Sequence, residues 1–365
     1  MSAARPTVLI TGAGGPIGVN VTRSLRMLDD APRLVGTDCN RYHLCLALTD
    51  VIEEIPPARE REAYFAALRD ICQRESVDML LPTHPVEVRA LLELGEALDA
   101  LEVARCLPPL DVVERCQSKW KSYQRFVAAG VPAPRTELLA DRAALDAVFS
   151  ELSRDGAAPV WVRGAGVPGI GVGVASLPCR DAAVAAAWVE HFRGWGGFIA
   201  SEFLPGQNLT WLGLYFEGQL VACQSRERLE YVIPHVSPSG ITGAPAVSRT
   251  VRDPRLRAVG DAAVRAVCEE APPHGAFFVD LKGDAEGQPR VTEVNGGRFG
   301  TTIHFYSEAG FNFPALLVAL CLGGALPEGA PIEDPIAPDT YWIRTLDCGP
   351  VLLRPDEARA RGFAD

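Results

Sequence analysis

Asp280, Glu293 and Asn295 are the residues of this sequence whose types and spacing are best suited to chemistry. Val279-Asp280-Leu281 sits in one apolar run, and Thr292-Glu293-Val294-Asn295 closes another. The polar segment Gly283-Asp284-Ala285-Glu286-Gly287 separates them as a turn. If the two runs are strands paired through that turn, the three side chains can converge, because Glu293 and Asn295 are two apart and share a strand face. Two carboxylates and an amide oxygen form a hard-oxygen set suited to Mg²⁺, which takes few protein carboxylates and favours phosphate oxygens. The competing reading is a solvated hairpin face carrying incidental acids. Arg298 follows in a loop with Gly296, Gly297 and Gly300. A guanidinium beside a magnesium pair is what developing phosphoryl charge requires. The glycines let the backbone come close to a substrate.

A different glycine cluster opens the chain. The apolar run Thr7-Val8-Leu9-Ile10-Thr11 leads into Gly12-Ala13-Gly14-Gly15-Pro16-Ile17-Gly18, then into a helical pattern with Val19, Val21, Leu25 and Leu28. The next strand, Leu34-Val35-Gly36-Thr37, ends at Asp38. This is the layout of a dinucleotide site, with glycines under a pyrophosphate and an acid for a ribose hydroxyl. The spacing from Gly14 to Gly18 is longer by one than the usual fingerprint, and no dehydrogenase chemistry follows. A tight turn in a parallel sheet is the better reading, with an NAD-dependent oxidoreductase as the alternative.

The elements that must hold these residues follow from the apolar pattern. Strands at 7–11, 34–37, 51–55 and 77–81, with a helix over 59–74, predict a parallel, helix-flanked sheet. Pro108-Pro109 marks a boundary. Helices over 119–129 and 142–153 follow, then a strand ending at Arg163 and a glycine-rich loop from Gly164 to Gly173. A helix over 181–193 precedes strands at 197–203, 209–216 and 219–224, the last two joined by a tight Glu217-Gly218 turn. A helix over 253–270, the hairpin 275–282 and 289–294, and an apolar helix over 314–322 complete the pattern. Beyond that the chain is rich in proline and is expected to wrap the surface.

Composition narrows the function. The 365 residues exceed one ordinary core, so two or three subdomains are expected. With 48% hydrophobic and 22% charged residues the chain is an ordinary globular protein. A net charge of −11 argues against nucleic-acid binding, and no apolar run is long enough for a membrane span. Residues 1–6 run straight into a strand without a signal-peptide pattern, so a cytoplasmic location is expected. Ten scattered cysteines with no C-x-x-C pair read as reduced structural thiols. His84 and His304 lie near plausible site loops, each read as an ordinary polar partner rather than a metal ligand.

In order, these motifs resemble the ATP-grasp superfamily over about residues 7–345. In particular they are similar to the branch of the carbamoyl-phosphate synthase large subunit and biotin-carboxylase-like carboxylate–amine ligases. Ser118-Lys119-Trp120-Lys121-Ser122-Tyr123 followed by Gly130-Val131-Pro132-Ala133-Pro134 is similar to the opening of that family's ATP site, where a lysine, here Lys119 or its neighbour Lys121, reaches phosphate. Val160-Trp161-Val162-Arg163 resembles the strand whose cation contacts the α- and β-phosphates. Gly169 and Gly171 belong to the loop that, by resemblance, closes over the triphosphate. Ser201-Glu202-Phe203-Leu204-Pro205-Gly206 resembles the adenine-binding hinge, and Asn208 stands where a ribose-binding acid is common. Asp280, Glu293 and Asn295 fall on the metal positions and Arg298 on the loop arginine. Arg163 replaces the more usual lysine, Gly296-Gly297 replaces a proline, and Thr301-Thr302 replace glycines, which points to an unusual acceptor.

The resemblance implies an α/β and α+β chain. A Rossmann-like pre-ATP-grasp domain would span 1–108, a small lobe with the glycine-rich loop 109–200, a metal-bearing lobe 201–330 and a surface segment 331–365. It implies ATP with Mg²⁺, or Mn²⁺ in its place, and phosphorylation of a small-molecule carboxylate that an amine then captures. Lys119, Arg163 and Arg298 would be the catalytic cations. Arg226, Glu227 and Arg228 either face the acceptor or form a solvated strand end. Neither nucleic acid nor membrane is an expected partner, and a homodimer is compatible. A catalytically silent ATP-binding subunit is the second alternative.

Overall fold

The computed structural model describes residues 5–154, 156–166, 176–241, 243–346 and 348–362. The N-terminal unit runs β1 (Thr7–Thr11), α1 (Pro16–Leu25), β2 (Arg33–Asp38), α2 (Arg41–Leu44), β3 (Val51–Glu54), α3 (Arg61–Glu75), β4 (Met79–Leu81), α4 (Pro85–Glu93) and α5 (Gly95–Asp99). Its four strands are parallel in the order β3-β2-β1-β4. β1 is buried on both faces, which is why it reads as an unbroken apolar run. Leu9 packs with Tyr64, Leu68 and Ile71 of α3, while Val8 and Ile10 turn toward the rest of the molecule.

Two helices, α6 (Leu110–Gln117) and α7 (Lys119–Ala128), lead into a small lobe. Here β5 (Thr136–Leu139), α8 (Arg142–Ser153), β6 (Val160–Gly164), β7 (Ser176–Cys179), α9 (Ala182–His191) and β8 (Phe198–Glu202) form an antiparallel sheet ordered β5-β8-β6-β7. Period-two alternation places Val160 and Val162 in a core with Leu145, Phe149 and Val189 of the two helices. Trp161 and Arg163 therefore leave the sheet on the other side.

The third unit comprises β9 (Asn208–Phe216), β10 (Gln219–Tyr231), β11 (Pro245–Thr250), α10 (Pro254–Cys268), β12 (Gly275–Gly283), β13 (Pro289–Gly296), α11 (Ile303–Glu308), α12 (Phe313–Cys321), β14 (Ile332–Glu333), β15 (Tyr341–Thr345), β16 (Cys348–Leu353) and α13 (Pro355–Ala360). Its sheet is ordered β13-β12-β9-β10-β11-β15-β16, with β14 against β10. One face, bearing Trp211, Tyr215, Phe277 and Val279, buries against α10 and α6. The opposite face is divided along the strands. Leu212, Leu214 and Phe278 pack against the N-terminal unit, α11 and α12, and the polar ends beyond them stay free to form a site.

Three differences from the sequence expectation have physical causes. β10 continues through Arg226 and Arg228 to Tyr231, because pairing with β9 and β11 covers both its edges. The proline-rich end does not simply wrap the surface, since β15 adds to β11 and buries Trp342 to 1% exposure. Between the expected loop at 295–300 and the expected helix at 314–322 stands an unanticipated short helix, α11, because Ile303, Phe305 and Tyr306 bury in the core. No helix of the described residues is long and apolar enough to cross a membrane.

Candidate active site

The β12–β13 hairpin forms as its alternation predicts. Asp280 lies directly opposite Glu293, and Phe278 opposite Asn295. As direct partners the two acids share one face, and the register shift falls just beyond them, between Asp280 and Leu281. Side chains from elsewhere converge on them. Lys119, at the start of α7, places Nζ 3.4 Å from Glu293 Oε2. Ser118 caps that helix, its Oγ accepting from Lys121 N–H, and Lys119 N–H donates to Ala165 O at 2.8 Å, so the lysine is anchored between two units. Arg163 from the small lobe comes within 3.8 Å of the same carboxylate and donates to Thr292 O at 2.7 Å. Arg228 of β10 lies 3.2 Å from Asp280 Oδ1, to which Thr210 also donates at 3.3 Å.

Burial alone would raise the Glu293 pKa, but Lys119 and Arg163, with Arg298 beyond them, outweigh it and hold the carboxyl below its usual range. Burial lowers Arg163 and Arg298, and the two acids only partly restore them. Arg298 donates to Asn295 Oδ1 at 2.7 Å, so the amide oxygen expected to face a metal is engaged by the loop arginine. Among the described residues no three His, Cys, Asp or Glu side chains are grouped to hold a metal by themselves. The donor set remains two opposed carboxylates and an amide. That suits a cation which draws most of its oxygens from phosphate and water.

Glu202, Phe203 and Leu204 lie where β8 ends and the chain crosses toward β9. Glu202 pairs with Val160 across the small sheet, Phe203 sets its ring 6.4 Å from Trp161, and Leu204 is buried. Gly206 then meets β12 at Gly283, where N–H donates to Gly283 O at 2.9 Å and any Cβ would stand 2.6 Å from that oxygen. Asn208 Oδ1 accepts from Lys282 Nζ at 2.9 Å. Gly169 and Gly171 lie outside the described residues.

The Arg226–Arg228 charge run is divided by the sheet. Arg226 and Arg228 share the site face, whereas Glu227 turns away to Arg249 at 2.9 Å. Thr210, Lys282 and Arg344 were not anticipated. Lys282 had a signal, since it stands two residues past Asp280 and so shares its face. Arg344 had none, because only long-range pairing of β15 with β11 brings it here.

The N-terminal glycine turn is filled by its own chain. Asp38 Oδ2 accepts from Gly14 N–H at 3.2 Å and its Oδ1 from Asn40 N–H at 2.9 Å. A Cβ on Gly14 would stand 1.9 Å from His43 O, so its glycine serves close packing of α2. The acid that a ribose would need is thus held by backbone. His84 caps α4 through Nδ1, with a pKa lowered by burial and by the field of Arg298. His304 joins Ser24 to Glu308, and burial lowers its pKa to about 4. The nine cysteines from Cys39 to Cys321 are free, six of them buried.

No family model and no curated protein sequence matches the chain. Solved structures do. An L-amino acid ligase from Bacillus licheniformis aligns over 93% of this chain and 79% of its own, with 17% identity and a TM-score of 0.65. N5-carboxyaminoimidazole synthetase from Staphylococcus aureus aligns over 93% and 82%, with 14% identity and a TM-score of 0.67. The biotin carboxylase domain of Hydrogenobacter thermophilus 2-oxoglutarate carboxylase, a dimer in complex with MgADP, ADP and bicarbonate, aligns over 92% and 73%, with 16% identity and a TM-score of 0.66. The fold is that of the ATP-grasp ligases.

Proposed function

We propose that the chain is an ATP-dependent ligase that phosphorylates a small-molecule carboxylate and transfers the acyl group to an amine or similar nucleophile, releasing ADP and phosphate. The observation that carries this reading is the opposed pair Asp280 and Glu293, ringed by Lys119, Arg163 and Arg228 from three separate elements. Such a ring fits a nucleotide whose phosphates arrive with a divalent cation.

Asp280 and Glu293, with Asn295, would hold Mg²⁺ or Mn²⁺, which supplies charge neutralisation between the phosphates. Lys119 and Arg163 bind phosphate oxygens, and Arg298 is placed for charge that develops on the transferring group. Glu202, Phe203 and Leu204 supply the adenine side and Asn208 the ribose side. Positioning and charge do the work, and the chain needs no covalent intermediate of its own. The reading takes 1–108, 109–200, 201–330 and 331–365 as its working divisions. It also includes a cytoplasmic address and a homodimer, as in the biotin carboxylase domain with MgADP.

A catalytically silent ATP-binding subunit is the second reading, favoured by the commitment of Asn208 to Lys282. One experiment separates them. ADP release from MgATP is followed with pooled amino acids, small carboxylates and bicarbonate, beside an Asp280→Ala/Glu293→Ala control. Substrate-dependent ADP that vanishes in the control supports the ligase. ATP binding without ADP from any pool supports the silent subunit, and stoichiometric NAD binding without ATP binding would overturn both.

A further inference from the structure

Two arginines of the third unit, Arg226 and Arg344, make no ion pair among the described residues. Arg226 on β10 stands directly across from Thr210, and Thr210 directly across from Asp280, so all three side chains leave the sheet on one face. Two strand spacings, about 10 Å, separate Arg226 from Asp280. Arg226 is 4% exposed, and its Nη1 donates to Thr302 Oγ1. Its guanidinium lies 5.9 Å from the centre of the Tyr306 ring. Its Nε and the Tyr306 hydroxyl are buried with no hydrogen-bond partner among the described residues.

Arg344 on β15 reaches the same corner. Its Nε donates to Pro245 O at 2.9 Å, and its two terminal nitrogens lie 3.3 and 3.4 Å from Thr301 O and Oγ1. Burial, reinforced by the charge of Arg226, brings its pKa down to about 10. The neighbouring arginines are matched, Arg228 with Asp280 and Arg249 with Glu227. Arg226 and Arg344 instead repel each other, and their hydrogen-bond partners among the described residues are neutral oxygens. Holding a buried cation beside a half-buried one without a counter-charge is costly unless a ligand supplies one.

We infer that Arg226 and Arg344, with Thr301, Thr302 and Tyr306, bind an oxyanion group of the acceptor remote from its reacting carboxyl, so that the acceptor carries two anionic groups, as a dicarboxylate or a phosphorylated carboxylate does. The inference rests on the ligase reading for the reacting end. The remote group takes the free donors of Arg226, Arg344 and Tyr306 in charge-assisted hydrogen bonds. Its distance from Asp280 sets the length of substrate that can bridge both ends. Thr301 and Thr302 supply hydroxyls that glycine would lack.

The test uses the full chain with Mg²⁺ and a non-hydrolysable ATP analogue. Calorimetric titration compares glutarate, adipate and suberate with monocarboxylates of equal length, and adds 3-phosphoglycerate. ADP release is followed with MgATP on the same panel. At least one dianion should bind tenfold or more tightly than its monoanionic match. Arg344→Gln should erase that preference without changing affinity for the ATP analogue, and Arg226→Lys should weaken it. If Arg226→Lys fails to fold, Arg344→Gln decides. The better of the two dianion types identifies the remote group. Dianions that bind no better than monoanions, or a preference that survives in the variants, would overturn the inference even if ADP is released. A preference lost in Arg344→Gln with no ADP release would uphold it and count against the ligase reading alone.

Discussion

Lys119 Nζ and Glu293 Oε2 stand 3.4 Å apart, joining the first turn of α7 to β13. With Arg228 at 3.2 Å from Asp280, both acids of the candidate metal site are already balanced by protein cations. A bare divalent ion must break those pairs. A nucleotide would instead bring phosphate oxygens to pair with Lys119, Arg163 and Arg228, leaving Asp280 and Glu293 to hold the metal. Mg²⁺ alone should therefore leave the thermal midpoint unchanged, whereas MgATP at a hundredfold excess over its Kd should add about 2.7 kcal/mol of stability. Thermal unfolding with Mg²⁺, ATP and both checks this, and equal shifts from Mg²⁺ and MgATP would refute it.

Glu293→Gln removes the anion shared by Lys119 and Arg163. Activity should fall by about 100-fold or more, the scale of a lost charge contact in a transition state. The fold should lose about 2 kcal/mol at neutral pH, less than for a deeply buried pair because the Glu293 side chain is 26% exposed. The folded-state pKa of Glu293 is depressed. Its contribution is thus present above the unfolded pKa and lost as pH falls through the folded one. Urea unfolding of both proteins at pH 7 and near pH 3 should show the gap closing on the acid side.

The hairpin that carries this site was legible because its signal is local. Asp280, Glu293 and Asn295 are fixed by alternation around a short polar turn, and the register bears that alternation out. The same alternation divides Arg226 and Arg228 from Glu227, although a run of charges read in isolation suggests a solvated end. Arg344 was invisible for a different reason. Tyr341-Trp342-Ile343 is only a three-residue apolar run before Arg344, Pro331, Pro335 and Pro338 precede it, and its partner strand β11 is far away in sequence. The glycine turn at Gly14 was ambiguous in sequence, because close packing against His43 and close approach to a pyrophosphate select the same residue, and its packing agrees with the tight-turn reading.

Gly206 is where the small lobe is tied to β12. Its N–H donates to Gly283 O at 2.9 Å, Gly283 N–H returns a bond to Gln207 O at 3.0 Å, and a Cβ would come within 2.6 Å of the carbonyl. Gly206→Val must push these backbones apart. It should cost about 1–3 kcal/mol, the range for forced overpacking. Because the linker carries Phe203 and Leu204, the KM for ATP should rise more than kcat falls. Steady-state ADP release with ATP varied measures the split, and an unchanged KM would argue against the adenine role of this segment.

Glu87, in the first turn of α4, lies beneath the glycine turn, with its Oε2 3.2 Å from where a Gly12 Cβ would stand. Burial, with Asp38 nearby, raises its pKa to about 7, against the pull of the Thr11 and Tyr64 hydroxyls. A raised folded-state value means that the folded chain holds this proton more tightly than the unfolded one. The resulting stability is complete below the ordinary value of 4.5 and is lost as pH rises through about 7. At about 1.4 kcal/mol per pH unit the loss is about 3 kcal/mol. Glu87→Gln keeps the shape and removes the charge, so it should match the parent near pH 4 and exceed it by up to that amount at pH 8. Urea unfolding across pH 4–8 measures the difference. A gap that does not grow between pH 5 and 7 would mean that Glu87 finds a compensating partner on ionisation, with Tyr64, whose hydroxyl is buried beside it, the first to examine by Tyr64→Phe.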